Sequence, residues 1–101
     1  MTFDMVKSDV QPSQTVIVPA YNESFRIVQS LRTVLDYLAK QSYSANVMLV
    51  DDGSSDDTVD SARSLVPKYP NLEIHTIPHG GKAAAVLYGL EHAKGDLMLF
   101  T

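Results

Sequence analysis

The sequence predicts an α/β domain in which parallel strands alternate with helices. Short apolar segments of strand length alternate with longer segments in which apolar residues recur at helical spacing. The second short segment is continuously apolar after its first residue, as expected of a strand that is covered on both faces. The resulting order, β-α-β-α-β-α-β, predicts a parallel sheet whose crossover connections are right-handed.

The first strand and the first helix are predicted at residues 15–19 and 25–41. The strand is short, apolar and rich in β-branched residues. Asn22 or Ser24 is expected to cap the helix by accepting a hydrogen bond from a free backbone N–H. One face of the helix carries an apolar stripe, formed by Val28, Leu31, Leu35 and Leu38 and widened by Ile27 and Val34.

The second strand is predicted at residues 46–50 and the third at residues 72–77. Between them, Ser55 and the two aspartates that follow it predict the start of a helix. A hydroxyl can cap the first turn, and acidic side chains are favoured at the positive end of the helix dipole. This helix is expected to be short and to end before Pro67, which cannot continue it.

The last helix is predicted at residues 82–93, where alanine and leucine are frequent, and Gly95 marks its end. A fourth strand begins at Asp96 and runs to the last residue, so we expect the chain to be the N-terminal part of a longer protein. Residues 1–13 show no periodicity and are predicted to be a loose lead-in. The predicted domain therefore covers residues 14–101.

The composition bounds the classes of function. A chain of 101 residues is long enough for one domain with its own core. A net charge of −4 argues against a nucleic-acid partner, because a surface that binds nucleic acid normally carries a basic patch. The longest apolar runs, about six residues, are far shorter than the roughly 20 that span a bilayer. The absence of cysteine excludes thiolate metal sites and fits the reducing cytoplasm.

Polar and aromatic residues follow the first two strands where each strand ends. Tyr21 and Glu23 follow the first strand, and Asp51 and Asp52 follow the second. Because ligands of open α/β sheets bind beyond the carboxyl ends of the strands, these residues predict one binding site. Tyr21 would stack on a base, and the three acids would bond a base or ribose. The alternative is that Tyr21 is an ordinary loop residue and that the aspartates only form turns and caps.

The two aspartates are expected to act differently. Successive side chains of an extended segment point to opposite sides. One carboxylate can therefore reach a ligand while the other caps the turn at Ser54 and Ser55. We predict that Asp52 is the residue more directly involved in binding, and we also regard Asp51 as a candidate.

Gly80-Gly81-Lys82 precedes the last helix, and free N–H groups at a helix N-terminus bind phosphate. Lys82 would neutralise a diphosphate there. The motif is not a P-loop, because Ala83 replaces the hydroxyl residue that would hold magnesium. The alternative is a flexible loop with a solvated lysine.

The three histidines, His75, His79 and His92, show no metal-ligand spacing. We interpret them as surface residues and predict no metal site within this chain. His79 is the only one of the three that lies in a loop of the predicted site.

Four motifs occur in a fixed order: Val-Pro-Ala-Tyr-Asn-Glu at 18–23, Val-Asp-Asp-Gly-Ser-Ser-Asp-Asp-Thr at 50–58, Gly-Gly-Lys-Ala-Ala-Ala at 80–85 and Gly-Asp-Leu-Met-Leu-Phe-Thr at 95–101. Together they resemble the N-terminal half of a family 2 inverting glycosyltransferase with the Rossmann-like, A-type nucleotide-sugar fold. The resemblance covers residues 15–101. Within the family, the chain is most similar to polyprenyl-phosphate enzymes such as dolichyl-phosphate glucose or mannose synthases.

The resemblance implies roles for individual residues. It places Tyr21 against the base, Asp52 in a bond to the base, and Lys82 near the diphosphate. One departure is Ala83, which stands where the family pattern usually has glycine. The positions that match nucleotide-binding residues of the family are Pro19, Tyr21, Glu23, Val50, Asp52 and Lys82.

The resemblance also implies the reaction. Such an enzyme transfers a hexose from UDP- or GDP-sugar to an acceptor, here a polyprenyl phosphate, with inversion. The Asp-x-Asp motif that holds Mg²⁺ or Mn²⁺ is expected just after Thr101, and the general base further on. We therefore expect the chain alone to be inactive. Membrane association would come only from a later segment, and we expect the protein in the cytoplasm or at the cytoplasmic face of a membrane.

Two other classes of function share part of this pattern. A receiver-type phosphoacceptor domain of signalling proteins also has an acidic pair after a strand, but it needs another aspartate at the carboxyl end of a later strand. Asp96 is predicted at the start of its strand. A sugar-nucleotide nucleotidyltransferase needs a glycine-rich basic loop directly after the first strand, and residues 20–23 do not form one.

Overall fold

The computed structural model describes residues 14–99 and, of residues 96–99, only the backbone. The predicted lead-in at residues 1–13 and the end of the fourth strand at residues 100 and 101 lie outside the described residues. The predicted alternation of strands and helices is confirmed. The elements are β1 Gln14–Ala20, α1 Ile27–Ala39, β2 Ala45–Asp51, α2 Thr58–Arg63, β3 Leu72–Thr76, α3 Lys82–His92 and β4 Asp96–Leu99.

The four described strands form one parallel sheet in the order β3-β2-β1-β4. In this register Ala20 pairs with Asp51, so the carboxyl ends of β1 and β2 lie side by side. Asp96 pairs with Gln14 at the opposite edge of the sheet. It therefore lies far from the two aspartates that end β2, which argues against the phosphoacceptor alternative.

The helices cover the sheet on both faces, as the apolar strands predict. Helices α1 and α2 lie on one face and form the larger core with every second residue of the strands. The smaller core on the other face contains Ile17, Met48 and Val50 beneath Ala85 of α3. The larger core includes Val16, Val18, Leu31, Leu35, Val47, Leu49, Ala62 and Leu72.

Helix α3 packs closely on β1 because Gly89 has no side chain. A Cβ atom at Gly89 would lie 2.7 Å from Cγ2 of Ile17, a distance that real Cβ contacts do not show. Ile17 is itself fully buried. This close approach fixes the distance between the helix and the centre of the sheet, and so fixes the start of α3 near the end of β1.

The predicted cap of the first helix is wrong. Helix α1 begins at Ile27, and Arg26 before it makes no side-chain cap bond. Asn22 adopts a positive φ of 51°, and its side chain accepts a hydrogen bond from the backbone of Ser55 instead. Ser24 donates its N–H to Asp56. Both residues connect two loops, a use that no local pattern distinguishes from a cap.

The second helix is shorter than predicted. It covers only Thr58–Arg63 and is followed by turns through Lys68. Ser55 does not cap it, because the N–H and the hydroxyl of Ser55 both face the side chain of Asn22. The acceptor for the backbone N–H of Thr58 is the carboxylate of Asp56, at 3.0 Å.

We expect Gly89→Ala to lower the free energy of unfolding by up to about 2 kcal/mol. Overpacking against Ile17 costs about 1–3 kcal/mol, whereas alanine gains only about 1 kcal/mol over glycine in a helix. Urea titration of the variant measures the difference. At exposed Leu87, the comparison of Leu87→Gly with Leu87→Ala gives the propensity term alone. A Gly89→Ala protein as stable as the parent would show that Ile17 moves aside.

Candidate functional site

Three loops meet at the carboxyl edge of the sheet. The first loop (residues 21–26) follows β1, the second loop (residues 52–57) follows β2, and the third loop (residues 77–81) follows β3. Since β1 and β2 are neighbours, the first two loops begin next to each other. The functional residues predicted from the sequence lie in these loops, at the strand ends or at the start of α3.

Side chains of the first loop bond the backbone of the second loop, and side chains of the second loop bond the backbone of the first. The N–H of Asn22 donates to Oγ of Ser54, and the N–H of Ser55 donates to Oδ1 of Asn22, both at 2.8 Å. The side chain of Asn22 therefore holds the second loop while its backbone is held by that loop. This exchange fixes the two loops relative to each other.

Thr58 extends the connection. Its hydroxyl is fully buried, accepts the N–H of Glu23 at 2.8 Å and donates to Oδ1 of Asp56. The other oxygen of Asp56 accepts the N–H of Ser24 at 3.3 Å. The hydroxyl of Thr58 and the other donors lower the pKa of Asp56. These polar side chains of the second motif therefore bond the first loop to the second, and these hydrogen bonds are made without any ligand.

Asp51 is part of this framework. Its carboxylate is 1% exposed and accepts both the backbone N–H of Ser54 at 2.9 Å and the hydroxyl of Ser54 at 2.5 Å. Gly53 between them has a φ of +72°, which an L side chain rarely adopts. Asp51 is the aspartate that closes the turn, as one of the two was predicted to do, and it does not line the cleft.

Asp52 turns to the third loop. Its Oδ1 accepts the N–H of Gly80 at 2.8 Å, and its Oδ2 accepts the N–H of Gly81 and Nδ1 of His79, both at 2.9 Å. These donors, above all Gly80, hold the pKa of Asp52 below its ordinary value of 3.8. The N–H groups of Gly80 and Gly81, in the loop that was predicted to bind phosphate, are therefore already bonded. A direct bond from Asp52 to a base remains a prediction.

His79 lies in the site and not on an unrelated surface. Its ring stacks on the ring of Tyr21, with centroids 4.3 Å apart and planes inclined by 22°. The interpretation of His79 as a surface residue is therefore incomplete, because 56% of its side chain is exposed but the ring is held on two sides. The sequence signal that could have found it is its position directly before Gly80-Gly81-Lys82.

The loops enclose one cleft of about 540 Å³, within the size range of small-molecule sites. Of the predicted residues, Pro19, Tyr21, Glu23, Asp52 and Lys82 line it. The complete lining is Val18, Pro19, Ala20, Tyr21, Glu23, Arg26, Ile27, Ser30, Asp52, His79, Gly81, Lys82 and Ala85.

Val50 and Arg26 differ from expectation in opposite ways. Val50 was predicted to contact the nucleotide, but it is fully buried in the smaller core and does not line the cleft. Arg26 was not predicted, yet it lines the cleft and bonds both carboxylate oxygens of Glu23. The bond from Arg26 lowers the pKa of Glu23. The spacing of three residues on one turn is the signal that could have indicated this pair.

The described residues contain no group of three or more His, Cys, Asp or Glu side chains that could hold a metal ion. That the metal ligands follow Thr101 stays a prediction. Within the same part of the chain, no helix is both long and apolar enough to cross a membrane.

A cleft of this kind, at the carboxyl edge of a parallel sheet with helices on both faces, defines an α/β ligand-binding domain. Residues 15–101 match the model of glycosyl transferase family 2. The chain belongs to that family, and the resemblance that its four motifs indicate is confirmed.

Curated relatives specify the family further. A dolichyl-phosphate beta-glucosyltransferase of Trichomonas vaginalis is 37% identical over 82% of this chain and 27% of the relative. The dolichyl-phosphate beta-glucosyltransferase of Mus musculus is 32% identical over 84% of this chain and 29% of the relative. The chain therefore spans less than a third of the length of these relatives.

Solved structures confirm the fold class. A mannosyltransferase from Pyrobaculum calidifontis, in complex with GDP-Man and Mn²⁺, has a TM-score of 0.64 and 31% identity over 86% of this chain and 26% of that one. S. aureus TarS, in complex with UDP-GlcNAc, has a TM-score of 0.72 and 28% identity over 86% of this chain and 25% of that one.

We expect Thr58→Val to destabilise the protein by about 1–3 kcal/mol. Valine keeps the shape of threonine but leaves the N–H of Glu23 without its acceptor, and an unpaired buried donor costs that amount. Thr58→Ser keeps the hydroxyl and loses a methyl group. Hydrogen exchange should therefore show faster exchange of the Glu23 amide in the valine variant only. Equal protection of that amide in both variants would contradict the role of the hydroxyl.

We expect Asp52→Asn to lower stability and to flatten its dependence on acid pH. The folded pKa of Asp52 is depressed, so its stabilisation is complete above the ordinary value of 3.8 and is lost as the pH falls through the folded pKa. An asparagine does not titrate. Thermal unfolding from pH 7 to pH 2 measures the effect, with a smaller residual slope from Asp56 and Glu23, whose pKa values are also lowered.

The control for Asp52→Asn is Asp57→Asn. Asp57 is an exposed aspartate at the start of α2 that makes no side-chain cap bond, so its variant reports the effect of removing one negative charge. If the two variants lose the same stability at neutral pH, the contacts of Asp52 with the third loop do not stabilise the fold.

Proposed function

We propose that this chain forms the nucleotide-sugar-binding half of a glycosyltransferase that moves a hexose from UDP- or GDP-sugar to a polyprenyl phosphate with inversion. The observation that carries the proposal is the cleft itself. It brings the ring of Tyr21 and the ammonium group of Lys82 together at the carboxyl ends of the strands. An aromatic face suits a base, and a lysine suits the diphosphate.

The base and the diphosphate of such a donor match two of the residues that line the cleft. Tyr21 is 43% exposed, so one part of its ring is available for stacking although His79 lies against it. Lys82 is the first residue of α3, where the helix dipole adds to its positive charge. We propose Pro19 and Glu23 as further contacts along the lining. Val50 and Asp51 are buried and do not line the cleft, so they would act only by supporting the residues that do.

The chemistry of inversion requires attack from the side opposite the leaving group. An acceptor oxygen forms a bond to the anomeric carbon while the bond from that carbon to the diphosphate oxygen breaks. The leaving diphosphate takes the electron pair, and its growing negative charge is what Lys82 would offset. The Mn²⁺ of the Pyrobaculum structure supports a divalent ion, Mg²⁺ or Mn²⁺, in the complete enzyme. The described residues do not form its ligand set.

The relatives support the acceptor. Two enzymes that match more than four-fifths of this chain are named for dolichyl phosphate, a polyprenyl phosphate. Because such a lipid lies in a bilayer, the complete enzyme would work at a membrane face, and we propose the cytoplasmic face. GDP-Man and UDP-GlcNAc in the two solved structures support a nucleoside-diphosphate sugar as the donor.

We expect Tyr21→Ala to weaken the binding of UDP or GDP by roughly 5- to 150-fold, because stacking on an aromatic ring is worth about 1–3 kcal/mol per base. Isothermal titration calorimetry of the parent and the variant measures the change. Tyr21→Phe keeps the ring and should bind within about twofold of the parent. Tyr37→Ala removes an exposed tyrosine of α1 outside the cleft and serves as a second control.

Binding of neither nucleotide by the parent would overturn the proposed function. Equal affinity of the parent and of Tyr21→Ala would instead mean that the base lies elsewhere in the cleft.

A further inference from the structure

Phe25, in the first loop, is the most exposed large apolar residue in the part of the chain that the structure describes, at 85%. The backbone on both sides of it is held in place. The N–H of Ser24 donates to Oδ2 of Asp56 at 3.3 Å, and the N–H of Arg26 donates to the carbonyl of Glu23 at 3.0 Å. A phenyl ring in water forfeits the stabilisation that burial supplies, so a ligand that covers the ring gains it.

Arg26, the next residue, has hydrogen-bonding capacity to spare. Its guanidinium group carries five N–H donors. Nε and Nη2 bond the two carboxylate oxygens of Glu23, which uses one edge of the group. The hydrogen bonds found within residues 14–99 leave the edge formed by Nη1 and the second N–H of Nη2 unused. The side chain is 61% exposed and lines the cleft. Two parallel N–H groups of this kind match the oxygens of a phosphate.

The proposed function brings two anionic groups into the cleft, the diphosphate of the donor and the phosphate of the acceptor. The lysine and arginine residues among those that line it are Lys82 and Arg26. Because Lys82 is proposed for the diphosphate, Arg26 is the cation that remains for the second anion. Phe25 beside it matches the apolar chain that follows the phosphate in a polyprenyl phosphate.

We propose that Phe25 and Arg26 form the contact site for the acceptor. The unused edge of the guanidinium group binds the phosphate, and the phenyl ring covers the first isoprene units of the chain. The inference rests on the proposed function, which names the class of acceptor but not the residues that bind it. Glu23 keeps its bonds to the other edge of the guanidinium group, so the ion pair does not have to separate.

Geranyl phosphate, an acceptor analogue with two isoprene units, tests this site in the complete chain. It is titrated by NMR, with inorganic phosphate as the headgroup alone and geraniol as the apolar chain alone. We expect geranyl phosphate to bind roughly tenfold more tightly than either part, because only the whole molecule contacts both residues. Equal affinity for geranyl phosphate and inorganic phosphate would overturn the proposal.

Two variants test the two halves of the site. Arg26→Gln should weaken the binding of geranyl phosphate by roughly tenfold or more, as expected for a lost hydrogen bond to a charged group, and leave the affinity for geraniol unchanged. Arg26→Lys keeps the charge without the parallel N–H groups and should lie between Arg26→Gln and the parent. Phe25→Ala should weaken geranyl phosphate and geraniol by roughly fivefold and leave inorganic phosphate unchanged.

Each variant has a matched control outside the cleft. Arg63 also pairs with an acid three residues away, Asp60, and its side chain is 65% exposed, so Arg63→Gln removes a similar charge. Leu87→Ala removes an exposed apolar side chain of α3 that does not line the cleft. Both controls should bind geranyl phosphate as the parent does. If Arg26→Gln or Phe25→Ala, folded as judged by its thermal transition, binds it as tightly as its control, the proposal is wrong.

A titration with UDP or GDP already bound separates this inference from the proposed function. Geranyl phosphate should still bind, because donor and acceptor occupy the cleft together. Competition would mean that it takes the position of the diphosphate, which would overturn the role of Arg26 while nucleotide binding stands. If neither UDP nor GDP binds the parent, the proposed function fails. Binding of geranyl phosphate that depends on both Phe25 and Arg26 would then still support a site for an anionic lipid.

Discussion

Two neighbouring aspartates at the carboxyl end of β2 hold the loops of the cleft in place. Asp51 accepts hydrogen bonds from Ser54 and closes the second loop, whereas Asp52 accepts them from Gly80 and Gly81 in the third loop. Both carboxylates are buried, and a buried charge is costly unless hydrogen bonds compensate it. The N–H groups of the loop therefore compensate the buried charge of each aspartate, and the aspartate in turn holds the loop. The orientation of His79 and the start of α3 depend on these bonds.

The polar groups of the site therefore fall into two sets, those that bond the loops and those that are exposed at the cleft. Three acids of the second motif, Asp51, Asp52 and Asp56, bond the loops, whereas Asp57 stays exposed. The groups left exposed at the cleft are aromatic or basic: the rings of Tyr21 and His79, the guanidinium group of Arg26, and the ammonium group of Lys82. An anionic ligand that carries a flat base matches this set better than a cation does.

Much of the fold could be predicted from the sequence because it depends on local patterns. The strands agreed with prediction to within one residue at the ends that the structure describes, since runs such as Val47–Val50 are apolar on both faces. The helix ends were less predictable. Asn22, Ser24 and Ser55 are typical capping residues, but the partner loop offered them hydrogen bonds that compete with the helix. A capping residue identifies an available side-chain oxygen, and only the fold determines which N–H it meets.

The sequence by itself determined the α/β class, the edge of the sheet at which the site lies, and the family, because strand periodicity and motif order are properties of the linear chain. The tertiary structure decided which residues face the cleft. Asp51 and Asp52 are the same residue type at adjacent positions. The pleat of the strand directs Asp51 to the second loop and Asp52 to the third. His79 belongs to the site because it bonds Asp52 and stacks on Tyr21, which are distant in the chain. Val50 does not line the cleft because it is buried in the smaller core. Arg26 lines the cleft and bonds Glu23, which is only three residues away.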